Sequence, residues 1–71
     1  MSERQKKILY FDNYPEAKMA LGNVSFPAVI KPYESDDFKY HYTVTDYGEA
    51  AQMLYDAFEH SRSGRILIET Y

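Results

Sequence analysis

Seventy-one residues suffice for a single domain, and a formal charge of −3 argues against general affinity for nucleic acid or anionic membranes, which needs excess Lys and Arg. The absence of cysteine rules out disulfides and thiolate metal sites, and 45% apolar residues with only three Gly and three Pro argue against disorder. No apolar run approaches the about 20 residues of a membrane span, and the charged start MSERQKK lacks the apolar stretch of a signal peptide, so a cytoplasmic domain is expected, with residues 1–6 frayed.

Residues 7–11, KILYF, are β-branched and aromatic and predict a first strand. Asn13-Tyr14-Pro15-Glu16 then has the chemistry of a helix start: Asn13 can cap, and Pro15 suits an early helical position. The helix is expected to run through Leu21, with Ala17, Ala20 and Leu21 on one face and Gly22 as the stop. Residues 25–31, SFPAVIK, predict a second strand, with Pro27 at an edge or at the very start of pairing. Residues 33–38, YESDDF, are a polar connection, and residues 39–45, KYHYTVT, a third strand. Asp46-Tyr47-Gly48-Glu49 resembles a capping box opening a helix to about Ser61. Tyr47, Ala50, Ala51, Leu54 and Phe58 recur at helical spacing as its buried stripe. Ser61 to Gly64 form a turn, and residues 65–70, RILIET, a fourth strand.

The order βαββαβ predicts an α+β fold: a four-stranded, mainly antiparallel sheet with two helices on one face and the other face open. Strand parity then sorts the side chains. The apolar sets, Phe26/Ala28/Ile30, Tyr40/Tyr42/Val44 and Ile66/Ile68, are expected to face the helices. The opposite sets place Lys31, Lys39, His41, Thr43 and Glu69 on the open face, beside Val29 and Leu67. Two cationic heads among apolar patches suit a nucleotide, with cations for phosphate and apolar walls for a base. Any half-buried sheet alternates in this way, so parity alone defines a surface and not a ligand.

Other constellations carry less. Glu34, Asp36 and Asp37 read as a solvated acidic turn, because a hard-cation site needs several oxygens at defined spacing. His41 and His60 show no nucleophile–histidine–acid pattern. Eight tyrosines could form a stacking surface, although Tyr is also an ordinary strand former.

The segment Phe26-Pro27-Ala28-Val29-Ile30-Lys31-Pro32 resembles the lysine strand of the ATP-grasp family, and Ile66-Leu67-Ile68-Glu69-Thr70-Tyr71 resembles the strand that closes the family's nucleotide-covering subdomain. Between them Glu34-Ser35, the Asp46-x-x-Glu49 helix start and the turn at Ser61–Arg65 keep the family's order without a gap. The resemblance runs from Phe26 to Tyr71, about two-thirds of the chain. It implies ATP as cofactor. Lys31 would reach the α- and β-phosphates, Lys39 would stand at the phosphate loop, Glu69 would lie near the adenine amino group, and the backbone at Thr70 and Tyr71 would border the adenine edge. Mg²⁺ and the acyl-phosphate chemistry would come from residues outside this chain. The implied role is one jaw of the ATP clamp of a carboxylate-amine or thiol ligase, as in carbamoyl-phosphate-synthase-like enzymes, not catalytic alone and partnered by the remaining subdomains. The loop Asp36-Asp37-Phe38-Lys39-Tyr40 departs from the family in having no glycine.

Two other readings fit the same element order. In an RNA-recognition module, Ile8–Phe11 and Lys39–Tyr42 would supply the two aromatic strands that stack bases. In a protein-interaction domain, the open face or a sheet edge would be the contact.

Overall fold

A computed structural model describes residues 6–34 and 40–71. Its elements are β1 (Lys7–Phe11), α1 (Tyr14–Ala20), β2 (Ala28–Pro32), β3 (Tyr42–Val44), α2 (Tyr47–Glu59) and β4 (Ile66–Thr70), the α+β order expected. The four strands form one sheet in the order β1-β4-β2-β3, and every neighbouring pair is antiparallel. β1 and β2 therefore run in the same direction with β4 between them, and β3 and β4 do so with β2 between them. Each helix crosses over one intervening strand.

The caps form as their chemistry dictates. Asn13 Oδ1 accepts the Glu16 N–H at 2.9 Å, and Asp46 Oδ1 accepts the Glu49 N–H at 2.8 Å. Glu49 reaches back past the cap to accept the Thr45 N–H at 2.8 Å. Each interaction satisfies a first-turn or pre-helical donor that the helix itself cannot.

Several boundaries differ from the sequence expectation. α1 ends at Ala20 and continues as a 3-10 turn, Leu21–Asn23, so Leu21 lies in this turn and not in the helix. A 3-10 turn eclipses residues three apart, which brings Leu21 and Val24 onto the same buried side. β2 begins at Ala28 and not at Ser25, because Pro27 has no amide to give to a ladder. β3 spans only Tyr42–Val44, and residues 35–39, with Asp36, Asp37, Phe38 and Lys39, lie outside the described residues. α2 stops at Glu59, two residues short of Ser61. Ser61 instead uses its hydroxyl in the following turn, where it accepts the Arg65 N–H at 2.9 Å, and Gly64 adopts the left-handed φ of 76° that favours glycine. Tyr47, expected in the buried stripe, is 47% exposed at the first position of α2. Ala57, one turn beyond Met53, is fully buried in its stead.

The core lies between the helices and one sheet face. Ala17, Leu21, Ala50, Leu54 and Ala57 meet Ala28, Ile30, Val44, Ile66 and Ile68 in a single cluster. The register aligns Leu9, Ile68, Ile30 and Tyr42 as one rung across all four strands on this face. Tyr42 points toward the helices as parity required, and its hydroxyl donates to the Asp56 carboxylate of α2. That hydrogen bond, followed by burial, pushes the Tyr42 phenol up to about 12.

Candidate functional site

The opposite sheet face carries the alternate rungs. Ile8, Glu69, Val29 and Thr43 align across the four strands, and Tyr10, Leu67 and Lys31 align across the next rung of three. Lys31 and Glu69 thus share the open face, one rung apart on neighbouring strands.

Glu69 is the electrostatic centre of this face. Its Oε2 lies 2.7 Å from Lys31 Nζ and its Oε1 lies 2.6 Å from Lys6 Nζ. The Glu69 side chain is only 14% exposed and that of Lys31 only 23%, so this pair is less screened than an ordinary surface ion pair. The Lys31 hydrogen bond, followed by that of Lys6, holds the Glu69 carboxyl below its ordinary range. The same contact, seen from the other side, raises the Lys6 ammonium. Lys6 was expected to fray with the start of the chain, but the structure ties it to β4. Residues 1–5 lie outside the described residues.

The sign of this coupling gives a measurable result. A carboxyl depressed in the folded state contributes stability that is present above its unfolded value and is lost as pH falls through its folded value. Lys31→Met removes the stronger partner, so the variant should be less stable than the parent at neutral pH, by about 1–2 kcal/mol. The gap should close as pH falls through the ordinary carboxylate range and then through the lowered folded-state value of Glu69. Urea midpoints at several pH values check this, and a gap independent of pH would assign the loss to packing of the lysine stem.

Beside the ion pair lies a recess of about 220 Å³ bounded by Lys6, Pro27, Val29, Thr43, Glu69 and Tyr71. Pro27, Val29 and the Tyr71 ring give it apolar walls, and the ion pair gives it a polar end. Tyr71, half exposed just after β4, forms its rim. Thr70 sits differently. Its side chain turns to the helix face and is 4% exposed. Its Oγ1 accepts the Ser25 N–H at 3.0 Å and donates to the Ser25 carbonyl at 2.6 Å. The Thr70 side chain is therefore a tie between β4 and the residue two before Pro27, and only its backbone could border a ligand on the open face. Lys39 lies outside the described residues. Glu69 and Tyr71 border the recess together with Lys6, and Lys31 reaches Glu69 from the next rung.

A second hollow, about 380 Å³, opens at the other end of the sheet among Tyr10, Phe11, Asp12, Glu16, Tyr33 and Arg65. The Tyr10 and Tyr33 rings meet at 5.6 Å, and the Arg65 guanidinium lies 5.9 Å from the Tyr33 ring centre.

Glu34, read as part of an acidic turn, ties the segment after β2 to the turn between α2 and β4. It accepts the Arg62 N–H at 2.6 Å and the Ser63 hydroxyl at 2.6 Å. The Ser63 hydroxyl, and then the Arg62 N–H, hold the Glu34 carboxyl below its ordinary range. Among the described residues no group of His, Asp or Glu is placed to hold a metal ion, and no helix is long and apolar enough to cross a membrane.

Compared with known proteins, the chain matches no protein-family model and no curated protein.

Proposed function

We propose that this domain is the nucleotide-covering jaw of an ATP-grasp-type ligase, binding ATP weakly by itself and catalysing nothing alone. The observation that carries the proposal is the placement of Lys31 and Glu69. The two residues that the family resemblance singles out lie on one open sheet face in contact with each other, and Glu69 also borders an apolar recess. A flat base fits between Pro27, Val29 and the Tyr71 ring, with the Glu69 carboxylate as acceptor for an exocyclic amine. The Lys31 ammonium, one rung away, is within a flexible stem's reach of phosphates leading from that base. Phosphate would draw Lys31 off Glu69, and Lys6 would stay on the carboxylate and keep it compensated. The Mg²⁺ that accompanies the triphosphate would be held by the opposing subdomains. Those same subdomains would cover the open face, where Ile8, Tyr10 and Tyr33 stand exposed.

The RNA-recognition reading draws less support. The two aromatic strands it needs, β1 and β3, are at opposite edges of the sheet, and Tyr42 turns to the helices. A continuous base-stacking platform requires those aromatics side by side.

Titration of isotopically labelled protein with ATP and Mg²⁺, followed by amide shifts, tests the proposal. Shifts are expected at Val29, Lys31, Glu69 and Tyr71 at millimolar nucleotide, a binding energy of about 4 kcal/mol. Lys31→Met should weaken the response about tenfold, the loss of one charge-assisted contact. A spectrum unmoved by saturating nucleotide would end the nucleotide reading.

A further inference from the structure

The strand order leaves β1 at one edge of the sheet. Its inner side pairs with β4 along all five residues without a bulge, and among the described residues no strand pairs with its outer side. Edges of this kind are usually blunted by proline, by bulges, by inward-facing charge or by being short. β1 has no proline or glycine, and its one charged residue, Lys7, stands at its first position. The two side chains it sends to the open face, Ile8 and Tyr10, are 45% and 60% exposed.

We propose that the outer edge of β1 pairs with β1 of a second copy of this chain, antiparallel about a two-fold axis through Leu9. Symmetry and chemistry together select this register. A continuous sheet with all helices on one side requires that paired residues share a face, so the paired numbers must sum to an even value. The register centred on Leu9 pairs every residue of the strand: Lys7 opposite Phe11, Ile8 opposite Tyr10 and Leu9 opposite itself. Ile8 opposite Tyr10 is an aliphatic–aromatic cross-strand pair on the open face and occurs twice. One step beyond the strand at each end, Lys6 of one copy comes opposite Asp12 of the other. Opposite charges therefore close both ends of the contact. Sliding by one two-residue step places Ile8 opposite itself and Lys6 opposite Tyr10. Sliding the other way places Ile8 opposite Asp12. Neither shift sets Lys6 opposite Asp12. The product is an eight-stranded sheet in which the two open faces are continuous.

Sedimentation equilibrium of the full chain over about 10 µM to 1 mM tests the pairing, a range suited to the weak affinity of a small contact. The average mass should climb from 8.4 kDa toward twice that value. Asp12→Lys or Lys6→Asp alone sets like charges opposite each other at both ends and should weaken association at least fivefold, about 1 kcal/mol. An equimolar mixture of the two variants restores both charge pairs and should recover it. Circular dichroism establishes that each variant is folded. Independently, Leu9→Cys places two thiols on the symmetry axis of a chain with no cysteine of its own, and should oxidise to a covalent dimer well ahead of Lys7→Cys, whose own symmetry mate lies several residues away. A mass fixed at the monomer value overturns the proposal. So does association indifferent to Asp12→Lys, or equal cross-linking rates at the two cysteine positions, either of which would assign the contact to another surface.

Discussion

Ile68→Ala is expected to cost about 3–4 kcal/mol, the range for truncating a fully buried aliphatic side chain without collapse of the site. Ile68 has no exposed surface and sits on an inner strand, flanked by Leu9 of β1 and Ile30 of β2 within the rung that spans the sheet. Strands hydrogen-bonded on both sides cannot shift inward to fill the space, so most of the cavity should persist. A domain of 71 residues has only about 4–11 kcal/mol of stability in total. The melting temperature should fall by roughly 12–30 °C, and far-ultraviolet circular dichroism on heating reads it directly. Ile8→Ala is the control. That side chain is half exposed on the open face, and its truncation should cost less than about 1 kcal/mol. Equal losses at the two positions would mean that the open face is as well packed as the core.

Thr70→Val should cost about 2 kcal/mol although it preserves shape. Valine replaces the hydroxyl with a methyl group and leaves both the N–H and the carbonyl of Ser25 facing an apolar surface. Loss of a partner costs more than the net worth of the hydrogen bond, because the stranded groups keep their desolvation penalty. Thr70→Ser, which retains the hydroxyl and loses one methyl, should recover more than half of the loss. Chemical denaturation of the three proteins gives the comparison, and a Val variant as stable as the parent would show that water serves Ser25 equally well.

The elements best read from the sequence are those with local causes. β1 is legible because the aliphatic and aromatic run Ile8–Phe11 ends at Asp12-Asn13, and both helix starts are legible because Asn13 and Asp46 cap through contacts only three residues away. Parity placed Lys31 and Glu69 on one face because the side-chain period of a strand is independent of what pairs with it. The remainder depended on pairing. Tyr47 fits the helical stripe but lies half exposed at the helix mouth, whereas Ala57, three residues after Leu54, continues the stripe and is fully buried.

Lys6 was assigned to a frayed start, and only the alignment of Ile8 with Glu69 shows that it reaches that carboxylate. Its parity with Ile8 and Tyr10 was the available signal. Thr70 shares parity with Ile66 and Ile68, a signal of burial that its expected place at an adenine edge left unused. The partner of its hydroxyl, 45 residues earlier, could not be inferred from spacing.

The position of β4 also bears on how the chain acquires its shape. β4 is the last of the four strands in chain order, yet it occupies an inner place between β1 and β2, which do not pair with each other. As the polypeptide leaves the ribosome, β2 and β3 can form a hairpin and α1 can coil, but β1 has no mate until some 55 further residues have emerged. The sheet is therefore completed by insertion and not by growth at a margin. Contacts so distant along the chain slow folding, and until β4 slides into place both of the strands it will join present bare backbone to their surroundings.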